Sequence, residues 1–72
     1  MHLFEIDNYV NHKVKPSPFY IAVLSNDLYS ACKLCFSPND LVDAVKYIQD
    51  RVPSNAKGTL FNVEQWLEGK NN

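Results

Sequence analysis

Two cysteines at the spacing Cys32-Lys33-Leu34-Cys35 are the one arrangement in this chain that a reactive site commonly uses. Such a pair ligates zinc or runs disulfide exchange when a turn or a helix start holds both sulfurs together. Zinc needs two further ligands, and the only histidines are His2 and His12, with no second cysteine pair. The surrounding pattern places both cysteines in a strand, where residues three apart point to opposite faces. Their Cα atoms then lie about 10 Å apart, beyond the ~7 Å that a disulfide bridges. Cys32 is expected in the core as a small hydrophobe and Cys35 half exposed. A C-x-x-C thiol or metal module stands as an alternative function.

Other catalytic constellations are missing from the pattern. Neither histidine has an acid or nucleophile at an informative spacing, and no nucleophile elbow is present. Gly58 and Gly69 are isolated, so there is no glycine-rich phosphate loop. Asp40 and Asp43 fall in the first turn of an expected helix, where acids complement the helix dipole. No catalytic residue, metal or cofactor is expected, and the chain does not read as an enzyme.

Charge bears on partners. Seven Lys and Arg face eight Asp and Glu, for a net charge of −1. A phosphate-gripping surface needs clustered bases, and the one local run, His12, Lys13 and Lys15, sits beside prolines. Nucleic acid is disfavoured. Its weak form would be a single-stranded binder using Lys13, Lys15 and Lys33, with tyrosines as a stacking platform. No apolar run approaches the ~18 residues of a membrane span. Met1-His2-Leu3-Phe4-Glu5-Ile6-Asp7 carries acids where a secretory signal carries bases. A cytoplasmic protein with reduced cysteines is expected, and the polar tail Gly69-Lys70-Asn71-Asn72 reads as the end of a complete small product.

The elements that would position these groups begin with a helix over 38–52. Ser37 is a suitable N-cap, Pro38 suits the first helical position, and Asp40 occupies the place of a capping-box acid. Leu41, Ala44, Val45, Ile48 and Val52 form a one-sided stripe, and Pro53 stops it. Residues 19–24 and 28–36 read as a hairpin around the turn Ser25-Asn26-Asp27. Leu28, Ser30, Cys32, Leu34 and Phe36 would face the core beneath the helix. Residues 3–10 fit either a strand or a helix, and the extended stretch through Pro16 and Pro18 favours the strand. After Gly58, Thr59-Leu60-Phe61 starts a strand, and Asn62 caps a short helix ending at Gly69, unless the strand runs on to Leu67.

Composition supports one folded domain over residues 1–72: 46% of residues are hydrophobic and 21% are charged. The resulting fold is α+β: an antiparallel sheet of three to four strands with one main helix on one face. Four Phe, four Tyr and one Trp are many for so small a core. Phe4, Phe19, Phe36 and Trp66 are assigned to the core, which leaves tyrosines for the open sheet face. Tyr is enriched at interfaces, so the favoured function is a binding domain that occupies a surface on a larger protein. Small accessory proteins of phages and mobile elements that inhibit host machinery are commonly of this kind. The contact residues expected are Tyr20, Tyr29 and Lys33 on the sheet, with Asp40, Asp43 and Asp50 on the helix as a second patch. A homodimer through the sheet edge is a further expectation.

Overall fold

A computed structural model describes residues 3–69. Every element among them is helical, and none is a strand. In chain order these are α1 (Phe4–His12), α2 (Pro18–Leu24), α3 (Leu28–Leu34), α4 (Pro38–Arg51), a 3-10 turn at Ser54–Ala56, and α5 (Leu60–Leu67). The expected α+β fold is therefore wrong: the hairpin, the N-terminal strand and the open sheet face do not exist.

Helix α4 forms as its capping signals require. Ser37 is extended at φ −152°, its side chain accepts a bond from the Asp40 N–H, and Pro38 follows at the first position. Lys57 reaches back with its ammonium to the Ile48 and Gln49 carbonyls, satisfying acceptors in the last turn. Of the stripe, Ala44, Ile48 and Val52 are buried, whereas Val45 stays 44% exposed.

The hairpin reading failed on two helix starts that β propensity masked. Ser17-Pro18 repeats the Ser-Pro start of α4, with Ser17 extended at φ −65°, ψ 162°. The Glu5 carboxylate accepts the Ser17 N–H at 2.7 Å and so meets one orphan donor of α2. Turn chemistry at 25–27 is real, but it joins two helices. Asn26 takes the left-handed conformation at φ 63°, and the Asp27 carboxylate caps α3 through the Ser30 N–H. Helical spacing then turns Ala31 inward, where the strand reading had put Cys32.

The core gathers one face from each longer-range element. Ile6 and Tyr9 of α1, Tyr20 and Leu24 of α2, Ala44 and Ile48 of α4, then Val52, Ala56, and Val63 and Trp66 of α5 form one cluster. Tyr9 is its centre. Its hydroxyl donates to the Ala56 carbonyl at 2.7 Å, and its own carbonyl accepts the Trp66 indole N–H at 2.8 Å. These two bonds satisfy polar atoms that burial would otherwise strand. The Lys13 ammonium lies over the Trp66 ring, 3.6 Å from the centroid. Lys13 gets there from a left-handed position (φ 55°) that ends α1.

Two further corrections concern the aromatics and the C-terminal segment. Phe4 and Phe36, assigned to the core, are 60% and 100% exposed. Thr59, rather than Asn62, caps α5 by accepting the Asn62 N–H, so the strand at 59–61 is replaced by helix. Phe61 is exposed.

Candidate functional site

Where α2, the end of α3 and the start of α4 meet, the surface folds into a small cleft. It is lined by Phe19 and Tyr20 of α2, then Leu34, Cys35 and Phe36, with Glu5, Ser17 and Asp40 at its edge. Its volume is about 100 Å³. Apolar cavities of roughly 150 Å³ take a benzene ring, so this one is sized for a single side chain.

Phe36 makes the cleft unusual. It precedes the N-cap of α4, the position from which a hydrophobic residue ordinarily packs four places into the helix. That partner would be Leu41, yet Phe36 remains fully exposed. Leu34, 47% exposed, sits beside it on the same rim. Two carboxylates frame the opening. Glu5 spends one oxygen on the Ser17 N–H and the other, weakly, on the Ser17 hydroxyl at 3.5 Å. Asp40 is half-buried in the first turn of α4. Among the described residues, neither carboxylate forms an ion pair with Lys or Arg.

The expected contact residues separate. Tyr20 is 4% exposed and belongs to the core, forming part of the cleft's wall. Tyr29 is 76% exposed on the outer face of α3, and the Lys33 ammonium lies 5.6 Å from its ring centroid. Tyr29 and Lys33 are thus together, on a helix rather than a sheet. Asp40 lies in the cleft, whereas Asp43 and Asp50 stand on the solvent side of α4. Sequence reasoning missed Glu5, Leu34 and Phe36 as site residues. The Ser37-Pro38 helix start carried the signal for Phe36, since it puts that residue one place before the N-cap.

The cysteine pair lies on a helix and not in a strand. Cys32 lies in α3 and Cys35 is its C-cap, so helical geometry sets their Cα atoms about 5 Å apart, within disulfide range. Cys32 is exposed and not in the core; Cys35 is half-buried, and its thiol donates to the Cys32 carbonyl at 3.2 Å. Among the described residues no group of three or more His, Cys, Asp or Glu is placed to hold a metal. His2 lies outside those residues. Both thiols are expected to react with an aromatic disulfide reagent in the folded protein. Two released chromophores per chain without denaturant is the predicted readout, and none released would contradict the exposure of α3.

Electrostatics elsewhere is structural. Tyr47 donates its hydroxyl to both oxygens of Asp7 at 2.9 Å, joining α4 to α1. That bond raises the phenol's pKa above the ordinary 10.0, with burial adding and the Arg51 guanidinium opposing. Burial raises Tyr9 as well. A raised phenol favours the protonated form in the folded state, so this stability is complete below pH ~10 and is lost as pH climbs through the folded value. Alkaline titration followed by phenolate absorbance should show late-ionising tyrosines in the native chain, and Tyr47→Phe should remove one of them. Four phenols ionising together near pH ~10 in folded protein would refute this.

The sheet tyrosines proposed as a nucleic-acid platform are dispersed: Tyr9 and Tyr20 are buried, and Tyr29 stands exposed on α3. Of the bases, Lys13 lies over Trp66, Arg51 over Tyr47 and Lys33 near Tyr29. No helix among the described residues is long and apolar enough to cross a membrane. No protein-family model matches the chain, and neither a curated protein nor a solved structure does. Function must therefore be argued from this geometry.

Proposed function

We propose that the chain is a small non-enzymatic protein-binding domain that acts by occupying a surface on a larger protein, as an inhibitor would. The observation that carries this reading is Phe36, fully exposed at the mouth of a side-chain-sized apolar cleft. Leaving a Phe in water forgoes about 1.5–3 kcal/mol of burial, and a partner that covers it recovers that term.

The cleft's chemistry describes the occupant. Its walls are apolar and take one aliphatic side chain, while Glu5 and Asp40 at the edge favour a neighbouring Lys or Arg. The partner segment would thus present an apolar residue beside a basic one. Helix N-termini behind both carboxylates contribute only about half a positive charge each, so the rim stays negative.

The test is to immobilise the chain and challenge it with a lysate of its native host at moderate salt. A stoichiometric partner retained by the wild type and lost by Asp40→Lys, with unchanged circular dichroism, supports the reading. Retention that ignores Asp40→Lys and any change at Phe36 would move the contact elsewhere, and no retained partner would remove the proposal's main support.

A further inference from the structure

The two thiols at the end of α3 are reactive groups that the proposed function leaves unused. Cys32 sits in the last turn of the helix and is exposed, and Cys35 is its C-cap and is half-buried. Three residues of helical rise put their Cα atoms about 5 Å apart, inside the ~7 Å that a disulfide spans. Cys35 keeps a helical φ of −74°, so its Cβ is placed as in the helix; only its ψ of 147° turns the chain away. Its N–H closes the last turn on the Ala31 carbonyl at 3.0 Å, and its thiol reaches back to the Cys32 carbonyl at 3.2 Å. The second sulfur thus lies against the residue that carries the first.

We propose that Cys32 and Cys35 form a dithiol site that closes to an intrachain disulfide in the folded protein, by exchange with a low-molecular-weight disulfide such as glutathione disulfide. Exposure sets the order of the two steps. The Cys32 thiolate attacks one sulfur of the small disulfide, whose S–S bond breaks; one glutathione thiolate leaves and a mixed disulfide remains on Cys32. The Cys35 thiolate then attacks the Cys32 sulfur, breaks the mixed disulfide and releases the second glutathione. Two electrons pass from the chain to the small disulfide, and the two thiol protons end on the two glutathione thiols.

Helix geometry supplies the final approach. Cβ atoms three apart on an α-helix lie about 5–6 Å from each other, and a disulfide takes them to about 3.5–4.5 Å. Tightening the last turn to 3-10 geometry, which is frequent at helix ends, brings side chains three apart into line. Little packing opposes that adjustment, because Ala31 is the only buried residue of α3 and Phe36, next along the chain, is fully exposed. A metal is the poorer occupant: among the described residues no group of three or more ligands is placed to hold one, whereas a disulfide needs the pair alone. Cys35 lines the cleft, but the exchange uses no partner protein, so it goes beyond the function proposed above and does not depend on it.

The test is to incubate the reduced, desalted full chain with glutathione disulfide, quench in acid and measure the intact mass. Wild type is expected to lose the mass of two hydrogens, carry no glutathione, remain a single chain and keep its circular dichroism. Cys35→Ser should stop at one glutathione adduct, because no second thiol resolves it. Cys32→Ser should take up glutathione roughly tenfold more slowly than Cys35→Ser, since only the half-buried thiol remains. Urea below the unfolding transition should leave the closing rate of wild type within about twofold, as expected when the folded turn presents both sulfurs. Wild type that accumulates glutathione adducts without closing overturns the inference, and so does a disulfide-linked dimer as the main product. Closure that appears only as urea unfolds the chain overturns it too, for folded α3 would then not bring the pair together. Equal rates for the two serine variants would overturn the order assigned to the thiols. Loss of cleft binding with closure intact would condemn the proposed function alone.

Discussion

Tyr9→Ala is expected to lower stability by about 3–5 kcal/mol, the ordinary cost of removing a fully buried aromatic. Tyr9 is the largest side chain with no exposure, and it contacts the core from both ends. Its hydroxyl holds the Ala56 carbonyl, so truncation also strands a buried acceptor in the 3-10 turn. A 72-residue domain has a total stability of roughly 4–11 kcal/mol. The variant should therefore lose a large part of that stability, and all of it at the lower end of the range. Urea denaturation monitored through Trp66 fluorescence measures this directly, because the indole N–H is bonded to the Tyr9 carbonyl. Tyr9→Phe separates the contributions: it keeps the ring, removes the hydroxyl, and should cost about 1–3 kcal/mol. A loss under about 1 kcal/mol for the alanine variant would mean that Tyr9 is not packed as described.

Phe36→Ala should do the reverse, leaving stability within about 0.5 kcal/mol of wild type while weakening partner binding at least thirtyfold. The first half follows from exposure: a residue with 100% of its surface in water loses no folded-state packing on truncation. The second half follows from its place at the mouth of the cleft, where a central aromatic anchor commonly contributes ~2 kcal/mol or more to an interface. Equilibrium denaturation and a binding titration against the captured partner, run on the same preparation, separate the two effects. A variant that binds as well as wild type would remove Phe36 from the contact. One that unfolds instead would show Phe36 covered within the chain.

Little of the candidate cleft is legible in the sequence, for of the expected contact residues only Tyr20 and Asp40 line it. Tyr29 and Lys33 were singled out for exposure and are exposed together, although on a helix and not on a sheet. Asp40 was assigned to the helix start and does line the cleft. Tyr20 was misassigned because strand alternation and helical spacing give opposite answers for residues next to each other in an apolar run. Phe36 was misassigned for the same reason, since the strand reading carried it inward with Leu34.

What the sequence by itself determined is α4 and the Ser25–Asp27 turn. Ser37-Pro38, a one-sided stripe and Pro53 specify a helix of 14 residues with little help from the rest of the chain. The tertiary structure decided the other four helices, which run only seven to nine residues. Helices shorter than ~12–15 residues are marginal in isolation. Their apolar runs, rich in Ile, Val, Phe and Tyr, lean toward strand on local propensity. They become helices because Tyr9, Leu24, Ile48 and Trp66 can then bury around one centre with their polar atoms bonded. That gain is a property of the assembled core, and no single segment contains it.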